Sequence, residues 1–149
     1  MPINSRQKGA QGERELALEF SKLGFHAKRS QQHCGINSDS DVEVEELPGL
    51  LIECKRVQQL NLQAAMFQAH IDAAKKNKTP AICHRKNNTE WLVTVRLKDM
   101  IPFVMHMTAG LRDRDASLMR RSNVERANAE GRQAPVVNGG DTQPDHPSV

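Results

Sequence analysis

Apolar and polar positions change period several times along this chain, and each change marks an element. Leu16, Ala17, Phe20 and Leu23 fall on one face of a helix predicted from Ser5 to Leu23, with Gly24 as its stop. Phe25 to Ser30 reads as a strand and residues 31–40, around Gly35, as a polar loop. From Asp41 to Glu45 acids alternate with Val42 and Val44, so the valines face a core and Asp41, Glu43 and Glu45 the other side. Leu47-Pro48-Gly49 is a turn, and Leu50 to Arg56 a central strand expected to pair with its predecessor as a hairpin. Asn61 is an N-cap for a second helix to about Lys76, with Ala65, Phe67, Ala69, Ile71 and Ala73 as its apolar surface. Pro80 to His84 and Trp91 to Arg96 are two further strands around the turn-rich Arg85-Lys86-Asn87-Asn88. Met100 to Met107 is an apolar cover for the sheet, and Leu111 to Ala129 a mixed-charge helix. From Gly131, a run rich in Gly, Pro, Asn and Asp predicts a disordered tail.

The order helix, three strands, helix, two strands defines an α/β (α+β) domain with a mixed central sheet flanked by helices. The chain has 149 residues, enough for one core. The expected division is a domain over 1–107, a helix over 108–130 and a tail over 131–149. No apolar stretch approaches the roughly 20 residues of a membrane span, and Met1 to Arg6 lacks the core of a signal peptide, so a cytoplasmic location is expected. Three widely spaced cysteines, Cys34, Cys54 and Cys83, suit a reducing compartment and form no CxxC zinc pattern.

Charge changes this picture. Between Asp39 and Glu53 lie six acidic residues and no basic one, whereas Cys54 to Asp99 carries nine Lys or Arg against three acids, in a chain of net charge only +3. An acidic pocket in a basic frame is what a divalent cation and a polyanion need at one place; a solvated acidic strand beside a basic helix is the plainer alternative. Within Leu50 to Arg56, alternation puts Glu53 and Lys55 on one face and Cys54 on the other. An acid and an amine side by side in a short apolar strand are costly to bury without a cation or mutual hydrogen bond. A simple ion pair is the competing reading.

Asp41, the Glu53-Cys54-Lys55 triplet and the order αβββαβ resemble the PD-(D/E)XK nuclease superfamily. The opening Lys8-Gly9-Ala10-Gln11-Gly12-Glu13-Arg14-Glu15-Leu16, followed by Gly24-Phe25 and Arg29-Ser30, is similar to that of archaeal-type Holliday junction resolvases and their phage-encoded relatives. The similarity spans about Arg6 to Arg96. It implies a restriction-endonuclease-like core in which Asp41 bridges metal, Glu53 is the second carboxylate ligand and Lys55 positions or activates water. It also implies that Glu13 adds an acid to the metal site and that Ser30 lies near the scissile phosphate. Where the superfamily often has proline before its aspartate, this chain has Ser40, and Asp39 is a rival ligand two positions away.

Magnesium takes oxygen ligands, so Asp41, Glu53 and the Cys54 carbonyl are its candidate holders, with manganese expected to substitute. Arg6, Lys8, Lys28, Arg29 and Arg56 flank the proposed site and are candidates for DNA backbone contacts. With four Phe, one Trp and no Tyr, base stacking is not expected to drive binding, which points to the backbone and shape of duplex or branched DNA. The expectation is a magnesium-dependent endonuclease, a homodimeric resolvase making paired nicks that leave 5′-phosphates, in a bacterial or phage-infected cell. The alternatives are a nicking or duplex endonuclease on the same fold, or a non-catalytic DNA-binding protein.

Overall fold

The computed structural model describes residues 5–30 and 40–131. Helix α1 (Ser5–Lys22) leads into strands β1 (Ala27–Arg29), β2 (Val42–Val44) and β3 (Leu50–Arg56). Helix α2 (Leu62–Lys75), strands β4 (Thr79–Arg85) and β5 (Leu92–Thr94), a 3-10 turn (Leu97–Asp99) and helix α3 (Met100–Ala129) complete the order. The expected loop, with His33, Cys34 and Asp39, lies outside the described residues, as does the tail beyond Gly131.

Both short helices end through backbone groups that the sequence can satisfy. After α1, Gly24 takes φ +89°, its N–H donates to the Ser21 carbonyl, and the Phe25 N–H reaches the Phe20 carbonyl. The Phe20 and Phe25 rings then meet edge to face at 6.2 Å, the apolar contact that accompanies this kind of helix end. Helix α2 begins at Asn61, whose side chain accepts from the Ala64 N–H, and ends with Asn77 at φ +53°.

Strand β3 organises the core by alternation. Leu50 and Ile52 pack with Leu16, Phe25, Val42 and Val44 on the α1 side, while Leu51 joins Met66, Ala69, Ala73 and Ile82 on the α2 side. Its ladder with β4 is parallel, pairing Glu53 with Ile82 and Lys55 with His84; β4 and β5 are antiparallel. The sheet is therefore mixed, with helices on both faces, in line with the sequence.

The hairpin expected between β2 and β3 is not a ladder. Strand β2 pairs antiparallel with β1 in a sheet of two, separate from β3-β4-β5. Around Pro48 the chain makes two successive tight turns, Leu47 N–H to the Val44 carbonyl and Leu50 N–H to the Leu47 carbonyl. These steer β3 away, and the hydrogen bonds between the two segments fall at their far ends, where the Asp41 N–H donates to the Ile52 carbonyl at 2.9 Å and the Ile52 N–H to the Ser40 hydroxyl at 3.0 Å.

The expected apolar cover and mixed-charge helix are one continuous α3 of 30 residues. Phe103 and Met107 pack on the core, but Ile101, Val104 and Met105 on the same segment are exposed, so only one face covers the sheet. Further along, Arg114 stacks its guanidinium over Phe25 at 5.3 Å and donates to the Leu23 carbonyl at 3.1 Å. Arg121 meets His26 Nε2, while His26 Nδ1 and backbone N–H both bond the buried Glu46 carboxyl. No described helix is long and apolar enough to cross a membrane.

Burial alone would raise the Glu46 pKa, but the hydrogen bonds from the His26 ring and backbone outweigh it and hold the carboxyl below its usual 4.5. A depressed carboxylate contributes stability above its unfolded value and loses it as pH falls through the folded one. Acid titration of the melting temperature is therefore expected to show a steeper loss below about pH 4.5 in the native protein than in Glu46→Gln. Parallel acid limbs would show that the His26–Glu46 pair adds nothing to stability in acid.

Candidate metal and phosphate site

Asp41 sits at the end of β2 where the two sheets touch. Its Oδ2 accepts from the Cys54 N–H at 2.8 Å, which fixes the carboxyl against the free edge of β3. In an extended strand the N–H and C=O of one residue leave on the same edge. The Cys54 carbonyl consequently also faces the β2 side, outside the ladder to β4. Glu53 projects from the neighbouring position and holds the Lys55 ammonium at 3.2 Å.

The Glu53 carboxyl is close enough to perturb Asp41. Burial, then the charge of Glu53, pushes Asp41 up from 3.8 to about 6, against the pull of the Cys54 N–H and Lys55. Part-burial would lower Lys55, but the charges of Glu53 and Asp41 outweigh it and hold its ammonium above the usual range. The thiol of Cys54 is pushed up by burial and by Asp41, which keeps it protonated and outside thiolate chemistry.

A part-buried aspartate whose proton affinity is raised by burial and by the neighbouring Glu53 charge is a place where a cation is favoured. Two carboxylates and a strand carbonyl are an oxygen donor set of the kind magnesium accepts, so the residues fit the implied metal. Among the described residues, no group of three or more His, Cys, Asp or Glu side chains is placed to hold an ion. Glu13 is instead bound to Arg29 Nε, and would have to leave it to join Asp41 and Glu53.

The other residues singled out from sequence fall in three places. Ser30 is buried, its N–H on the Asp41 carbonyl and its hydroxyl donating to Glu43 at 3.0 Å, so it braces β1 against β2 behind the carboxylates. Lys28 pairs with Glu43 at 3.4 Å. Arg6 and Lys8 are exposed on the first turns of α1. Arg56 is part-buried with its Nη1 on Glu15 at 3.1 Å, and Arg85 binds the other oxygen of the same carboxylate. Glu15 is thus clamped by two guanidiniums from adjacent strands.

Sequence reasoning missed Ser40, Glu15 and His84. Ser40 stands where proline often precedes the aspartate and uses its hydroxyl to tie the Asp41 segment to β3. His84 lies beside Lys55 in register, its Nε2 at 2.9 Å from the Thr94 hydroxyl. A histidine in an apolar strand opposite the lysine of an acid-X-lysine triplet was the available signal.

No protein-family model matches the chain, and no curated protein matches it significantly in sequence. Among solved structures, Archaeoglobus fulgidus Hjc, described as a Holliday junction resolvase from an archaeal hyperthermophile, is similar at 22% identity and a TM-score of 0.44. The alignment covers 57% of this chain and 74% of that one.

Proposed function

We propose that this chain is a metal-dependent DNA endonuclease, and that its substrate is branched DNA cut as a Holliday junction by a homodimer. The observation that carries the reading is the convergence, at the seam of two sheets, of the Asp41 and Glu53 carboxyls with a lysine bonded to one of them. The spacing of the same three residues and the Lys8 to Leu16 opening support it.

In this reading Asp41, Glu53 and the Cys54 carbonyl hold magnesium. The bound ion would supply Lewis acidity at a phosphate oxygen and lower the pKa of water. Lys55, kept cationic by its neighbours, orients the attacking water and offsets negative charge as it builds on the phosphate. The Cys54 N–H holds Asp41 in one rotamer, so the ligand is positioned before DNA arrives. Two opposed nicks in a four-way junction need two such centres related by a two-fold axis, which a symmetric dimer supplies.

Cleavage of a four-way junction, a flap and a matched linear duplex, each with magnesium, tests the reading. Symmetric nicks with 5′-phosphates near the branch point are expected, with the junction bound at least about tenfold more tightly than duplex. Manganese should support turnover, calcium binding alone, and EDTA neither nick. Equal cutting of junction and duplex, or a monomer at micromolar concentration, would move the assignment to a nicking or duplex endonuclease.

A further inference from the structure

Beyond the carboxylates, strands β3 and β4 run out together into two adjoining clefts whose lining carries no acidic side chain. One, of about 680 Å³, is bordered by Gln58, Asn61, His84, Arg85 and Lys86. The other, of about 340 Å³, is bordered by Lys8, Gln11, Arg56, Gln58 and Asn87. They meet at Val57 and Gln58, so together they form one trough across the C-terminal ends of the parallel strands.

The charge beneath this trough is unbalanced. Arg56 and Arg85 share a single carboxylate, Glu15, and the Nε of each is buried with no hydrogen-bond partner among the described residues. Two guanidiniums against one carboxylate leave a positive excess at the trough floor. At its rim Lys86 is exposed and makes no ion pair with a described residue; the turn carrying it is closed by Thr89, whose hydroxyl accepts from the Lys86 N–H and donates to its carbonyl. Amide side chains at Gln58, Asn87 and Gln11 add neutral donors, and no Phe, Tyr or Trp lines either cleft. That inventory suits a phosphodiester backbone rather than bases or an apolar ligand.

We infer that this trough binds the sugar-phosphate backbone of one DNA strand beside the cut site, with Lys86 and Gln58 as contacts unseen in the sequence. The inference rests on the endonuclease reading and gives the strand its path. Gln58 is three residues beyond Lys55, at most about 10 Å of chain, which is no more than roughly three nucleotide rises along one strand. The contacts would therefore fall within a few phosphates of the one being cleaved and would be indifferent to sequence.

Fluorescence anisotropy of a labelled four-way junction and a labelled duplex, in calcium so that no cutting occurs, tests this with Lys86→Glu, Gln58→Glu and, as a control of equal charge change, Lys98→Glu. Lys98 is exposed on the turn before α3 and outside both clefts. Lys86→Glu is expected to weaken binding about tenfold and to lower the slope of log affinity against log salt by about one, and Gln58→Glu to weaken binding at least about threefold. Lys98→Glu should stay within about twofold, and all three should melt with the native protein. Equal weakening by Lys86→Glu and Lys98→Glu would overturn the trough and leave the endonuclease reading standing. Trough-dependent binding without cleavage of any DNA in magnesium would do the reverse, and a native protein that binds no DNA would remove both.

Discussion

Asp41→Asn is expected to lose more than about a hundredfold in cleavage while still binding DNA, and Glu53→Gln and Lys55→Ala to behave alike. The substitution is nearly isosteric, and its amide oxygen can still accept from the Cys54 N–H, so the loss would come from the missing negative charge. Stability should move the other way. A carboxyl whose folded pKa of about 6 lies above its unfolded value opposes folding once pH exceeds both. At pH 8 in EDTA, Asp41→Asn should therefore melt above the native protein, by on the order of 2 kcal/mol in stability. Magnesium should raise the melting temperature of the native protein and not of the variant. Normal cutting by Asp41→Asn with inactive Asp39→Asn would transfer the ligand to Asp39; unaffected activity in all four variants would end the metal-site reading.

The second large effect belongs to Gly110, in the middle of α3. A Cβ there would lie 2.4 Å from Leu47 Cδ2 and 2.6 Å from the Glu46 carbonyl oxygen, and backbone cannot step aside as a side chain can. Gly110→Val should cost about 3 kcal/mol, or a melting temperature lower by about 10 °C. Even Gly110→Ala should destabilise, although glycine to alanine inside a helix normally gains about 1 kcal/mol. Gly9 in α1 is the matched comparison: its Cβ would meet nothing within 4 Å, so Gly9→Ala should stabilise. Thermal melts of the three variants settle the matter, and a neutral Gly110→Ala would mean that α3 does not press on the β2–β3 turn.

The long elements were legible because their signals are local. The 3.6 period of Leu16, Ala17 and Phe20, the Asn61 cap and the alternation through Leu50 to Lys55 each reside in a few consecutive residues. That alternation also carried the pairing of Glu53 with Lys55. What stayed hidden depends on partners far along the chain. Strand β2 has three residues and could pair with β1 or β3; the turns around Pro48 decide it, and no pattern in Val42 to Val44 records that choice. Glu15 reads as one more polar helix residue until Arg56 and Arg85, 41 and 70 positions later, close on it. The single α3 reads as two segments in the sequence because its apolar residues are spread over a covered and an open face, which blurs the helical period at Met100 to Met107.

The seam between the two sheets has a kinetic meaning. Asp41 belongs to the half built from α1, β1 and β2, whereas Glu53 and Lys55 belong to the half built from β3, α2 and β4, and at the strand edges the halves join through the three hydrogen bonds of Ser40 and Asp41 to Ile52 and Cys54. The amide protons of Ile52 and Cys54 are thus held across a boundary rather than inside a ladder. Because Leu50 and Ile52 share a buried core with Leu16, Phe25, Val42 and Val44, opening this boundary would also break that packing, so exchange at Ile52 and Cys54 is expected to be slow and to report how firmly Asp41 is held beside Glu53.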